Sequence, residues 1–198
     1  MGVTTGTSDA WLRRLGRSSE GMVARMVLLF GMFVRMMGRR ASGRFALMVG
    51  DFMHDVVKLR RGLVYRNLSL TFPQASPVEI RRIARGTYRN LATTFIEVLR
   101  FPLIRGRKDV EALIDMDVSL FWKGTDNGRK GAILISGHFG NWELMAMSFG
   151  LVAKPMTIIV KELRNKALDR AMNAFRTLHG NRVVYDDRSL REGLRLLG

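Results

Sequence analysis

Between Gly131 and Met147 the chain places a histidine and a glutamate where they could move a proton. Ala132-Ile-Leu-Ile135 is a short apolar run between Gly131 and Gly137, the pattern of a strand buried on both faces. The run breaks at Gly137-His138-Phe139-Gly140-Asn141, and a helical pattern starts at Trp142. Asn141 is a good N-cap, and Glu143 in the first turn suits the positive end of the helix dipole. His138 therefore falls at a strand end and Glu143 at a helix start, the corner where open α/β sheets bind ligands.

Five residues apart, the two would not share a face of one continuous helix, where neighbours lie three or four apart. Across a tight turn containing Gly137 and Gly140 they can meet. A carboxylate on one imidazole nitrogen fixes the tautomer and leaves the other nitrogen as a base. No nucleophile stands beside the pair, so the pattern predicts a base that activates a substrate's own hydroxyl. Ser136 offers a serine-hydrolase alternative. Leu134-Ile-Ser136-Gly-His lacks the first glycine of a nucleophile elbow, however, and Ser136 belongs to the strand rather than to a turn.

Around this stretch, 198 residues suffice for one domain with a real core. The absence of cysteine excludes disulfides, cysteine nucleophiles and thiolate metal sites. Three scattered histidines without a His-x-x-x-His pair give no zinc motif, and no metal or other cofactor is expected. Net charge is +16, and it is uneven. Residues 1–107 carry 19 basic and 6 acidic side chains; residues 108–198 carry 14 and 11. No nucleic-acid-binding motif accompanies that charge, and the arginines are interspersed with apolar residues. A membrane surface is the expected partner, not nucleic acid.

Residues 1–20 read as a mobile polar N-terminus. Residues 21–38 are apolar but interrupted, with only nine uncharged residues between Arg25 and Arg35. That is too few to cross about 30 Å of hydrocarbon. With Arg39, Arg40 and Arg44 beyond, the segment reads as an interfacial helix whose arginines reach headgroup phosphates. Helical spacing continues through 45–60. Ser76-Pro77-Val78-Glu79 then forms a capping box with proline at the first helical position. The helix it starts has Ile80, Ile83, Ala84, Leu91, Phe95, Val98 and Leu99 on its apolar stripe and ends at Phe101-Pro102. Arg81, Arg82, Arg85 and Arg89 lie largely off the stripe, as a solvated face would.

From residue 108 the pattern alternates: a strand over 112–117, a short helix over 119–123, a turn over 125–130 and the strand of 132–135. A helix over 142–152, a strand over 155–160, a helix over about 165–178, a strand over 181–185 and a helix from Ser189 follow. This order predicts an α/β fold, its helical, basic, membrane-associating front spanning 21–107. A mainly parallel sheet with flanking helices then spans 108–198. So few strands make a small sheet, so the fold is expected to be incomplete at the C-terminus.

Three stretches together resemble the late acyltransferases of lipid A biosynthesis, a membrane-associated family. They are Arg66-Asn-Leu-Ser-Leu-Thr-Phe-Pro73 with the helix start after it, Ser136-Gly-His-Phe-Gly-Asn-Trp-Glu143, and Asn165-x-x-x-Asp169 through Arg176 to Gly180. The second carries the family's His-x-x-x-x-Glu motif, and the likeness runs over about 45–198. A further Asp region and a C-terminal third of the family pattern fall beyond Gly198. The resemblance implies acyl transfer to a lipid hydroxyl without a covalent acyl-enzyme. His138 would be the general base, Glu143 its orienting partner, and Arg176 a contact to the acceptor's phosphate or the oxyanion. Gly140, Asn141 and Trp142 would form the turn whose backbone N–H groups face the oxyanion. The implied donor is an acyl carrier protein thioester and the acceptor a phosphorylated glycolipid, a lipid A precursor. The implied location is the cytoplasmic face of a bacterial inner membrane, peripheral or interfacial. Acyl-CoA-dependent acylation of another glycolipid or a lysophospholipid, and an inactive membrane-binding remnant, stay open as alternatives.

Overall fold

Ser76 opens the longest helix, Pro77–Leu99, as its spacing predicts. Its hydroxyl accepts the Glu79 N–H at 3.3 Å, and the Glu79 carboxylate accepts the Ser76 N–H at 2.8 Å. In the computed structural model, which describes residues 19–197, the elements are mostly helical. They are α1 (Ser19–Met36), α2 (Arg39–Phe52), a π-helical turn (Met53–Val57), α3 (Arg61–Thr71), α4 (Pro77–Leu99), α5 (Arg107–Glu111) and α6 (Ser119–Gly124). After them come α7 (Trp142–Val152), β1 (Thr157–Val160), α8 (Lys166–Arg176), β2 (Arg182–Tyr185) and α9 (Ser189–Leu197). Residues 1–18, most of the stretch expected to be mobile, lie outside the described residues. The chain divides into two compact units, one of them Phe33–Arg100 and the other formed by what precedes and follows it.

In the Phe33–Arg100 unit, α2 packs along α4; Ala46 and Gly50 of α2 and Ile80, Ala84, Tyr88, Ala92 and Ile96 of α4 are buried. The α4 residues recur every fourth position, one stripe of the helix. The two backbones come so close at Gly50 that a Cβ there would stand 2.5 Å from the Arg89 Cα and 2.8 Å from its nitrogen. Backbone cannot swing aside as a side-chain tip can. Gly50→Ala is therefore expected to destabilise by about 2–3 kcal/mol, read as a lower denaturation midpoint at unchanged slope.

Four arginines in this unit serve the fold. Asp51 accepts from Arg85 Nε at 2.7 Å and from Arg89 Nε and Nη2 at 2.6 and 2.7 Å. These hydrogen bonds hold its carboxyl far below the usual carboxylate range. The solvated face of α4 thus also carries ion pairs, from Arg85 and Arg89 to Asp51. Arg35 also departs from its expected place at lipid headgroups. Its Nη1 donates to the Leu99 carbonyl at 3.1 Å, capping the end of α4. Arg100 returns the favour, donating to Val34 O at 2.9 Å and Met37 O at 2.7 Å at the end of α1. Helix ends leave carbonyls without intrahelical donors, and a guanidinium satisfies them.

In the other unit, β1 and β2 pair in parallel, Thr157 opposite Arg182 through Val160 opposite Tyr185, with α8 as the crossover. Asn165 caps α8 by accepting the Leu168 N–H at 2.9 Å. Buried Asn181 accepts the Met156 N–H at 3.0 Å and donates to Ala146 O at 3.2 Å, tying α7 to the head of the sheet. Gly150 has no side chain, which leaves room for that amide.

The expected mainly parallel sheet is reduced to this two-stranded one among the described residues. Over 112–117 the backbone turns at 112–113 and then runs on without regular structure. The N–H groups of Leu113 and Ile114 both donate to Val110 O, at 2.8 and 2.9 Å, so they are committed to the end of α5 rather than to a ladder. Ala132–Ile135 is not a strand and is not buried: Ile133 is 73% exposed and Ile135 92%. An apolar run predicts burial only if a neighbouring strand accepts its hydrogen bonds, and β1 and β2 pair with each other.

Candidate active-site corner

The corner is built where α7 begins and α8 ends. Asn141 starts α7 as expected, its side chain accepting the Leu144 N–H at 2.9 Å. Gly140 before it has φ +57°, a left-handed conformation that glycine adopts without steric cost. One residue into α7, Glu143 points at Arg176 in the last turn of α8, 33 positions later in the chain. Arg176 Nε donates to Glu143 Oε2 at 2.9 Å and Nη2 to Oε1 at 2.5 Å. This bidentate pair is mostly shielded, with the two side chains 17% and 11% exposed. The hydrogen bonds to Glu143 hold the Arg176 guanidinium above its usual value, against the opposing effect of burial.

His138 is on the exposed turn in front of α7, with its ring centroid 4.8 Å from that of Trp142, the residue before Glu143. The turn is closed by the Phe139 N–H donating to Gly137 O at 2.9 Å. No hydrogen bond joins His138 to Glu143 among the described residues. Both carboxylate oxygens of Glu143 face Arg176 instead. The structure thus joins Glu143 to Arg176 and His138 to Trp142, and the two pairs meet at adjacent residues of α7. Ser136, on the same exposed stretch, donates to Gly137 O at 3.3 Å.

Sequence reading passed over the groups behind Arg176. Arg176 Nη1 donates to Asn173 Oδ1 at 3.1 Å, and Asn173 Nδ2 donates to Asp169 Oδ2 at 3.1 Å and to the Tyr185 hydroxyl at 3.2 Å. Tyr185 in turn donates to Asp169 Oδ2 at 2.6 Å. A signal for this row was present, because Asp169, Asn173 and Arg176 stand at i, i+4 and i+7 on α8 and so share one face.

The profile of one protein family, described as bacterial lipid A biosynthesis acyltransferase, matches residues 17–197. Comparison with proteins of curated function gave no match, and comparison with solved structures gave none either. That match spans nearly the whole chain, including the His138 turn, Glu143 and Arg176, and it settles the family: the chain belongs to the bacterial lipid A biosynthesis acyltransferases.

Proposed function

We propose that this chain transfers a fatty acyl group from the thioester of an acyl carrier protein to a hydroxyl of a phosphorylated lipid A precursor. His138 acts as general base. The observation that carries the reading is the convergence of Glu143 and Arg176, from separate helices, beside a histidine on an open turn. A base that must reach a lipid hydroxyl needs such exposure. A guanidinium fixed by one carboxylate still has N–H groups to offer an anion.

In the reaction, His138 takes the proton of the acceptor hydroxyl as its oxygen attacks the thioester carbonyl. The charge that develops on the carbonyl oxygen is met by backbone N–H groups of the Gly140–Trp142 turn and by Arg176. Collapse expels the carrier thiolate, which takes up the proton, and an ester remains on the lipid. For Glu143 to orient the His138 ring, the turn must close over the start of α7 and the carboxylate must share itself between imidazole and guanidinium. General-base catalysis contributes about a hundred- to ten-thousand-fold, so holding two lipids in register supplies much of the rest.

Work on lipids at the cytoplasmic face of the inner membrane fits the front of the chain. On α1, Met22, Met26 and Leu29 stand at i, i+4 and i+7, each about 60% exposed. No described helix is long and apolar enough to cross a membrane. An apolar stripe on a basic segment is suited to lying in the interface.

The test that separates direct transfer from a serine-hydrolase route is Ser136→Ala, together with intact-protein mass during turnover. Transfer within about twofold of wild type and no acyl adduct are expected, because among the described residues the Ser136 hydroxyl bonds to Gly137 O and Met145 Sδ and to no base. Loss of transfer with an acyl adduct on the parent protein would replace this reading.

A further inference from the structure

Behind the corner lies a buried carboxylate that the reaction does not touch. Asp169 is 2% exposed, yet its direct partners are all neutral: the Leu163 N–H on Oδ1 at 2.9 Å, and Asn173 Nδ2 and the Tyr185 hydroxyl on Oδ2. A carboxylate buried without a cation in contact is costly unless its charge is answered nearby. Arg176 answers that charge from one residue further along the row, reached through the amide of Asn173.

The order of donors gives the row a direction. Ionised Asp169 can only accept hydrogen bonds, so it turns the NH₂ of Asn173 inward. That fixes the amide oxygen outward, where it accepts from Arg176 Nη1. Tyr185 closes the arrangement, donating to Asp169 and accepting from the same Asn173 NH₂. Arg176 is then clamped from two sides: Nε and Nη2 on Glu143, Nη1 on Asn173. Three of its five N–H groups are engaged, and the remaining one on each Nη is left to face an incoming anion.

We infer that Asp169 is a positioning residue of the active-site corner, acting through Asn173 and Tyr185 to fix the plane in which Arg176 presents its guanidinium. For its activity arm this rests on the acyl-transfer reading, but its geometric arm does not. Asp169→Asn leaves one acceptor oxygen for three donors, the Leu163 N–H, the Asn173 NH₂ and the Tyr185 hydroxyl, that had two between them. The Asn173 amide is then no longer held with its NH₂ inward, and one side of the clamp loosens. The double variant Asp169→Asn, Asn173→Asp reverses the polarity. The new carboxylate accepts from Arg176 on one side and from the new amide on the other.

The experiment follows the Arg176 Nη1–H signal, the one Asn173 accepts, by ¹⁵N NMR in the full chain, alongside kcat and KM for the acceptor. Asp169→Asn and the milder Tyr185→Phe are expected to speed exchange of that proton by about tenfold, the worth of one lost hydrogen bond to a charged group. They are also expected to lower kcat more than they raise KM, since a tilted guanidinium fails at the transition state. The charge-swapped double variant is expected to recover both. Unchanged exchange in folded Asp169→Asn and Tyr185→Phe would overturn the inference, as would a folded double variant without recovery. If the wild-type chain transfers no acyl group, the functional reading fails while the exchange rates still decide this one.

Discussion

Arg176→Met is expected to cost about 3 kcal/mol of stability, because it leaves the shielded carboxylate of Glu143 without its cation. The same variant is expected to abolish acyl transfer. Glu143 is only 11% exposed, so water does little to replace the lost partner. A buried ion pair and a well-packed apolar pair are often near equal in stability, whereas half a pair is the worst case. Adding Glu143→Leu to Arg176→Met should therefore return most of the stability and none of the activity. Denaturant midpoints for the two variants, beside an acyl-transfer assay, separate the structural role of the pair from the catalytic one. If Arg176→Met alone left the midpoint unmoved, the pair would be a solvated surface contact. The corner would then lose its anchor.

His138→Ala should show the opposite division. The side chain is on an exposed turn and packs against Trp142 alone among the rings described near it, so stability is expected to stay within about 0.5 kcal/mol of wild type. The turnover rate is expected to fall by about a hundred- to ten-thousand-fold, the usual worth of a positioned general base. KM for the lipid should change little, since the imidazole meets the acceptor at the proton being moved rather than along its acyl chains. Initial rates at saturating donor, with acceptor varied, measure both quantities. A rate within threefold of wild type would require another base, as a threefold change is only about 0.65 kcal/mol of barrier.

What the sequence made legible is what local chemistry decides. Ser76 with Glu79, Asn141 before Trp142 and Asn165 before Lys166 each start a helix where their side chains can cap it. The cap requires only residues two or three positions away. The β1–α8–β2 unit was legible for a related reason, as two short β-rich runs flank one amphipathic helix. Contacts that depend on distant partners were not. Arg35 looked like a headgroup anchor because nothing near it in sequence shows Leu99 O, 64 residues away. Ala132–Ile135 looked buried because its composition suits a central strand, and composition carries no word on whether a neighbour pairs with it. At the corner itself, the sequence singles out His138, Glu143 and Arg176 as residue types suited to the chemistry. Their pairing is not legible there, because two candidate partners compete for one carboxylate and only three-dimensional packing places Arg176 against it.

Direct movement of an acyl group onto a lipid hydroxyl can be followed in one reaction. The test combines labelled acyl carrier protein thioester, unlabelled acyl-CoA, lipid A precursor in vesicles and the wild-type chain, followed by mass spectrometry of the extracted lipids. One labelled acyl ester on the lipid and an equal amount of freed carrier thiol are expected. Label recovered as free fatty acid, or left on the carrier while acyl-CoA is consumed in its place, would contradict that expectation.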